Sequence, residues 1–210
     1  MAARFLSRQG ITVITQKMVQ TGSTGKIADD LLLHRRLMGI EPLAEDVLGM
    51  TCSYLFKFPA SPHLAAAREN CRIDPAKITT DTQRLLEIND AVLLEGAGGL
   101  FVPLNDDCMI IDYVHKLPCP VILVTSGRLG SINHTLLSLE AISNRKIPLA
   151  GIVFNRFPEC DGVIESDTLR FFRETLTKLG RPGALVEIPS IDLNAIPNVD
   201  FTPIFDRIIG

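Results

Sequence analysis

Ala91-Val-Leu-Leu-Glu-Gly-Ala-Gly-Gly99 is the stretch that decides the fold class of this chain. Its four apolar residues, Ala91 to Leu94, read as a buried strand. Glu95 sets a single carboxylate at the strand's C-terminal end, and a glycine turn follows at once. In a parallel α/β sheet, ligands bind outside the carboxyl ends of the strands. A buried acid is costly unless it is paired or holds a metal, and glycines let a ligand approach the backbone closely. The segment therefore reads as part of a phosphate and metal site. The plainer alternative is a tight strand-to-loop turn with an incidental glutamate.

Outward from this segment, strands and helices alternate. Strands are predicted at Ile11–Thr15, Ala91–Leu94, Pro120–Thr125, Leu149–Phe154 and Ala184–Ile188. Residues 1–10 resemble the tail of a helix closed by Gly10. Ile27 to Met38 has helical apolar spacing with Gly39 as a stop. Asp74-Pro75 reads as an N-cap followed by proline at the first helical position, opening a helix to Glu87. Further helices are expected over Met109–His115, Ser131–Ile142 and Asp167–Leu179. Continuous apolar strands separated by helices imply an α/β fold, a parallel sheet with helices on both faces. No linker or internal repeat is visible, so residues 1–210 are expected to form one domain. Asn194–Gly210 carries no legible motif.

The five strands each deliver polar or glycine residues to one edge. These are Gln16-Lys-Met-Val-Gln-Thr-Gly22, Glu95–Gly99, Thr125-Ser-Gly-Arg-Leu-Gly-Ser-Ile-Asn133, Asn155-Arg156 and Ile188-Pro189-Ser190. Two or three could arise by chance; all five argue for a ligand crevice there.

Bulk properties fit a cytoplasmic enzyme. An apolar fraction of 46% and a charged fraction of 21% are ordinary for a globular chain. A net charge of −3 gives no basis for nucleic-acid binding. The five cysteines include no C-x-x-C pair, so neither a zinc site nor a disulfide framework is indicated. No apolar run approaches the ~20 residues of a membrane helix, and no signal peptide is recognisable. The four histidines lack metal-ligand spacing. His34 and His115 read as helix-surface residues, while His63 and His134 adjoin motifs and could be structural or functional.

Taken in order, Lys17-Met-Val-Gln-Thr-Gly22, Ser61-Pro-His63, Glu95–Gly99, Pro120-Val-Ile-Leu-Val124, Leu129-Gly-Ser-Ile-Asn-His134, Asn155 and Glu187-Ile-Pro189 resemble the dethiobiotin synthetase family. The resemblance runs from Gln9 to Ile191. It implies a P-loop NTPase-like α/β fold and a homodimer. It also implies ATP-dependent joining of CO2 (or bicarbonate) to 7,8-diaminononanoate, closing a cyclic urea in biotin biosynthesis. It assigns Lys17 as catalytic, a point cation for the carbamate and transferring phosphoryl. Thr21, Leu129, Gly130 and Asn133 would bind substrate, with the N-terminus of the helix at Ser131 receiving its carboxylate. Asp29 and Glu95 would ligate Mg2+, with Asp30 as a one-residue alternative to Asp29. Gly96, Ala97 and Gly98 would lie near the ATP phosphates. Asn155 would read adenine, and Arg156, Pro189, Ser190 and Ile191 would line the rest of the base pocket.

One part of the family pattern is absent. The phosphate-loop string G-x-x-x-x-G-K-[ST] occurs nowhere in the 210 residues; Gly22-Ser-Thr-Gly-Lys26 lacks its spacing. The first strand and its loop are thus expected to be missing, through a late start codon, a fragment, or a degenerate paralogue without ATP turnover. Two rival readings remain beside the enzyme. One is another P-loop amide-forming ligase, for whose glutaminase domain 210 residues leave no room. The other is a non-catalytic or regulatory protein on the same scaffold.

Overall fold

The computed structural model describes residues 1–209. The chain divides into two compact units, Met1–Lys116 and Leu117–Gly210.

The first unit runs α1 (Ala2–Arg8), β1 (Val13–Gln20), α2 (Asp29–Met38), α3 (Ala44–Val47), β2 (Cys52–Leu55), α4 (Pro62–Arg68), α5 (Pro75–Leu86), β3 (Ala91–Glu95), β4 (Pro103–Asn105), β5 (Cys108–Met109) and α6 (Ile110–Val114). Its main sheet has the order β2-β1-β3, all parallel, and β4 and β5 form a small antiparallel pair. Alternation along β1 sends successive side chains to opposite faces. Thr15 and Lys17 meet α2, where Arg35 bonds Thr15 and Asp30 pairs with Lys17. Between them, Gln16 accepts a 2.7 Å hydrogen bond from Thr82 of α5. Helices therefore cover both faces of this sheet.

The expected strand Ile11–Thr15 starts two residues later and runs on to Gln20. Gln16 and Lys17 are polar but buried, and each has a distant partner: Thr82 donates to Gln16 Oε1, and Lys17 pairs with Glu95. Other elements fall close to expectation. α2 ends on Gly39 in the left-handed conformation at φ 75°, which glycine adopts without a Cβ penalty. α5 opens on Asp74, whose side chain accepts from the Ala76 N–H. β2 and α4 have no counterpart in the sequence reading.

The second unit runs β6 (Val121–Ser126), α7 (Ser131–Asn144), β7 (Leu149–Asn155), α8 (Gly162–Lys178), β8 (Leu185–Ile188) and α9 (Thr202–Ile209). Its sheet is β6-β7-β8, all parallel. Ile152 and Phe154 of β7 pack with Leu139 of α7 and Leu169, Phe172 and Leu176 of α8. Gly151, on the opposite face of β7, lies against α9; a Cβ there would be 3.0 Å from Ile204. α8 begins five residues earlier than expected because Asp161 caps it, accepting from the Val163 and Ile164 N–H groups. α9 falls in the tail that had no legible motif. The α/β class with parallel strands and flanking helices holds in both units. Among the described residues no helix is long and apolar enough to cross a membrane.

Candidate active site

The first unit gathers a charge cluster where β1, β3 and α2 come together. Lys17 and Glu95 are register partners across the parallel β1/β3 pair, so their side chains project to the same face at adjoining positions. The Lys17 Nζ lies 2.6 Å from Glu95 Oε1 and 2.5 Å from Asp30 Oδ2. Lys17 is only 6% exposed and sits within β1, not after it as the sequence suggested. Burial opposes its charge. The hydrogen bonds and charges of Asp30 and Glu95 outweigh that and hold the ammonium above its ordinary value. Partial burial likewise pushes the Glu95 carboxyl up, but hydrogen bonds from His34 and Lys17 bring it down to about 2. Both groups are therefore charged near neutrality.

His34 belongs to this cluster, which corrects its reading as a helix-surface residue. Its Nε2 lies 3.2 Å from Glu95 Oε2, and its Nδ1 lies 3.1 Å from Thr15 Oγ1. Asp30 and His34 are one turn apart on α2, the spacing that places side chains on one helix face. That spacing was the available sequence signal. The next position of each pair, Leu31 and Arg35, is buried. Arg35 is clasped by Asp46 through Nε at 2.9 Å and Nη2 at 2.7 Å, and donates from Nη1 to Thr15 Oγ1 at 2.7 Å. Asp46 also accepts from Thr51 at 2.6 Å and from the Leu43 N–H at 2.8 Å. Burial works against the Asp46 charge, yet Arg35 and these donors hold its carboxyl below the usual range.

Around the cluster, Gly96, Ala97 and Gly98 form the turn after β3. Gly98 has φ 82°, and a Cβ there would approach Val102 to 3.0 Å. Thr21 lies just past the end of β1 and is half-buried. Gln20 Oε1, Ser23 Oγ and His63 Nδ1 are buried without a protein partner, leaving polar atoms for water or ligand to satisfy.

Asp29 is exposed, in the first turn of α2, and makes no side-chain bond or ion pair among the described residues. Its neighbour Asp30 is taken by Lys17. Of the two acids, Asp29 thus keeps its oxygens free. No group of three or more ligating side chains occurs among the described residues. Two carboxylates suit a hard cation that completes its shell with waters and phosphate oxygens, the habit of Mg2+.

In the second unit a cleft of about 370 Å³ opens at the carboxyl ends of β6 and β7, lined by Thr125, Ser126, Ser131, His134 and Asn155 among others. Asn155 ends β7, and its Oδ1 accepts from the Phe157 N–H at 3.0 Å. Its amide nitrogen is then the group open to a ligand. α7 is capped by Gly130 at φ 87° with no side-chain cap; Ser131 donates to the Arg128 carbonyl, which leaves the N–H groups of Ile132 and Asn133 as the first turn's open donors. Leu129 is fully exposed and Asn133 is exposed. Arg156 is engaged by Glu165 at 2.9 Å and Glu187 at 2.5 Å, and Arg173 holds Glu187 from its other oxygen at 2.5 Å. Pro189 and Ser190 are exposed and Ile191 half-buried, following β8. Of the second-unit residues given a binding role by the resemblance, Asn155 lines the cleft. Thr125, Ser126 and Ser131 line it from the segment expected to deliver polar residues to the ligand edge, as does His134, which the sequence left open as structural or functional.

Comparisons with known proteins agree with this chemistry. Residues 10–195 match the AAA_26 family, described as an AAA domain. The chain is 50% identical over 186 residues to the ATP-dependent dethiobiotin synthetase BioD 2 of Pasteurella multocida, covering 89% of this chain and 86% of that one. It is 53% identical over 159 residues to BioD 2 of Haemophilus influenzae, covering 76% and 83%. It is 47% identical over 192 residues to BioD of Chlorobaculum tepidum, covering 91% and 78%. At these identities, over most of both chains, the protein belongs to the ATP-dependent dethiobiotin synthetase family, within the AAA-domain class of α/β P-loop folds.

Proposed function

We propose that this chain is a cyclo-ligase that closes 7,8-diaminononanoate with CO2 to dethiobiotin, using ATP as co-substrate, in biotin biosynthesis. The observation that carries the reading is Lys17, a buried cation within β1, fixed between Asp30 of α2 and Glu95 at the carboxyl end of β3. The substrate amine attacks CO2 to give a carbamate. The ATP γ-phosphoryl then transfers to the carbamate oxygen. The second amine closes the ring and expels phosphate. No nucleophilic side chain is needed; positioning and charge neutralisation suffice. Lys17 balances the carbamate and transferring phosphoryl. Thr21, Leu129, Gly130 and Asn133 hold the substrate, whose carboxylate faces the N–H groups of α7. Gly96, Ala97 and Gly98 let phosphates approach the backbone. Asn155 reads the base, with Arg156, Pro189, Ser190 and Ile191 around it. Mg2+, held by Asp29 and Glu95, would neutralise phosphate charge. The working form is a homodimer of one-domain chains in the cytoplasm.

The phosphate-loop string remains absent from these residues. The test is ATP-dependent fixation of 14C-bicarbonate onto 7,8-diaminononanoate. Label is expected to be fixed with ATP and not without it. A folded chain that binds ATP and diaminononanoate calorimetrically without fixing label would favour the non-catalytic reading.

A further inference from the structure

We propose that His34 is a positioning residue that orients the Glu95 carboxylate for its cation, as the last link of a hydrogen-bond relay starting at the buried Arg35–Asp46 pair. The proposal rests on the reading of Glu95 as a metal ligand. For a neutral imidazole, donor and acceptor chemistry fixes the direction of every link. A guanidinium only donates, so Thr15 Oγ1 must accept from Arg35 Nη1. The Thr15 hydroxyl hydrogen is then available for His34 Nδ1, 3.1 Å away. An ionised carboxylate only accepts, so the bond to Glu95 Oε2 requires the hydrogen on His34 Nε2. Neutral imidazole carries one hydrogen, and both ends of the relay demand the same tautomer, Nε2–H.

The geometry at Glu95 gives the relay its purpose. Lys17 holds Oε1 at 2.6 Å and His34 holds Oε2 at 3.2 Å. Two fixed donors, one on each oxygen, set the plane of a carboxylate that is otherwise half-exposed. A lone lysine would leave it free to swing about that one contact. The anchor at the far end is rigid: Arg35 and Asp46 are both buried and bonded bidentately. Partners that orient a metal-binding side chain affect metal affinity or activity by about 10- to 100-fold.

The test is a Mn2+ titration of the whole chain, alone and with ATP, read by water-proton relaxation, with circular dichroism as the folding control. His34→Leu should weaken Mn2+ binding about 10- to 100-fold. His34→Gln, which can still donate to Glu95, should restore most of the affinity. Thr15→Val, which cuts the relay without touching Glu95 or Lys17, should fall between. Should His34→Leu misfold, the Gln and Val variants carry the comparison. If folded His34→Leu and Thr15→Val bind Mn2+ like wild type while Glu95→Gln loses it, the relay is refuted and the metal reading of Glu95 stands. If Glu95→Gln also binds unchanged, the metal reading falls and the proposal falls with it.

Discussion

Replacing Lys17 with methionine should separate what the lysine does for chemistry from what it does for the fold. Met is close in length and suits a strand position that is 6% exposed. Without the ammonium, Asp30 Oδ2 and Glu95 Oε1 face each other no more than about 5 Å apart, given their distances to Nζ. Two unit charges at that separation repel by about 3 kcal/mol at an effective dielectric of 20. Their side chains are 39% and 47% exposed, so water and salt reduce this to about 1–2 kcal/mol. The fold should survive with a lower urea midpoint. Label fixation should drop at least about 100-fold, the usual cost of losing a transition-state charge contact. Adding Glu95→Gln removes one of the two negative charges. The double variant should regain stability over Lys17→Met but no activity. Retention of more than about a tenth of the rate by Lys17→Met would refute the catalytic role. A double variant no more stable than the single would refute the electrostatic account.

Asp46→Asn should destabilise the chain by about 3–5 kcal/mol near neutrality, because it strands the buried Arg35 guanidinium. The Asp46 carboxyl is depressed in the folded state, so its contribution is present above its unfolded value and lost as pH falls through its lower folded one. The stability gap between variant and wild type, followed by denaturant titration, should therefore narrow below about pH 4; a gap unchanged down to about pH 2 would contradict this. Gly151→Ala should cost about 1–3 kcal/mol by overpacking, since its Cβ would run into the Ala184 carbonyl oxygen and approach Ile204; an unchanged thermal midpoint would mean that β7 and β8 give way more easily than their packing indicates.

The elements legible in the sequence were those with a local signature. β3 has an unbroken apolar run, α5 an Asp-Pro start, and α2 a glycine stop. β1 was cut short because Gln16 and Lys17 look like surface residues until Thr82, Asp30 and Glu95 are brought to them. Thr82 and Glu95 lie far along the chain, and no window sees them. β2 combines Cys52, Ser53 and Tyr54 with Leu55, too mixed to stand out. α9 was missed because its apolar face, Ile204 and Phe205, follows a proline-broken tail. In the site, Lys17 and Glu95 were found from their motifs. His34 was not, because its function lies in what it touches, and that depends on how α2 packs on β1.

Pairing Lys17 with Glu95 across a parallel ladder also makes the two strands a measured length. Val13 stands opposite Ala91, and the count runs residue for residue to Lys17 opposite Glu95. One inserted or deleted residue within 13–17 or 91–95 would turn one member of the pair to the far face. The loops at 21–28 and 96–102 follow the counted segments and leave that count untouched. Among natural variants of this chain, length changes should accumulate after the strands and be purged inside them, even where the inserted residue is a good strand former.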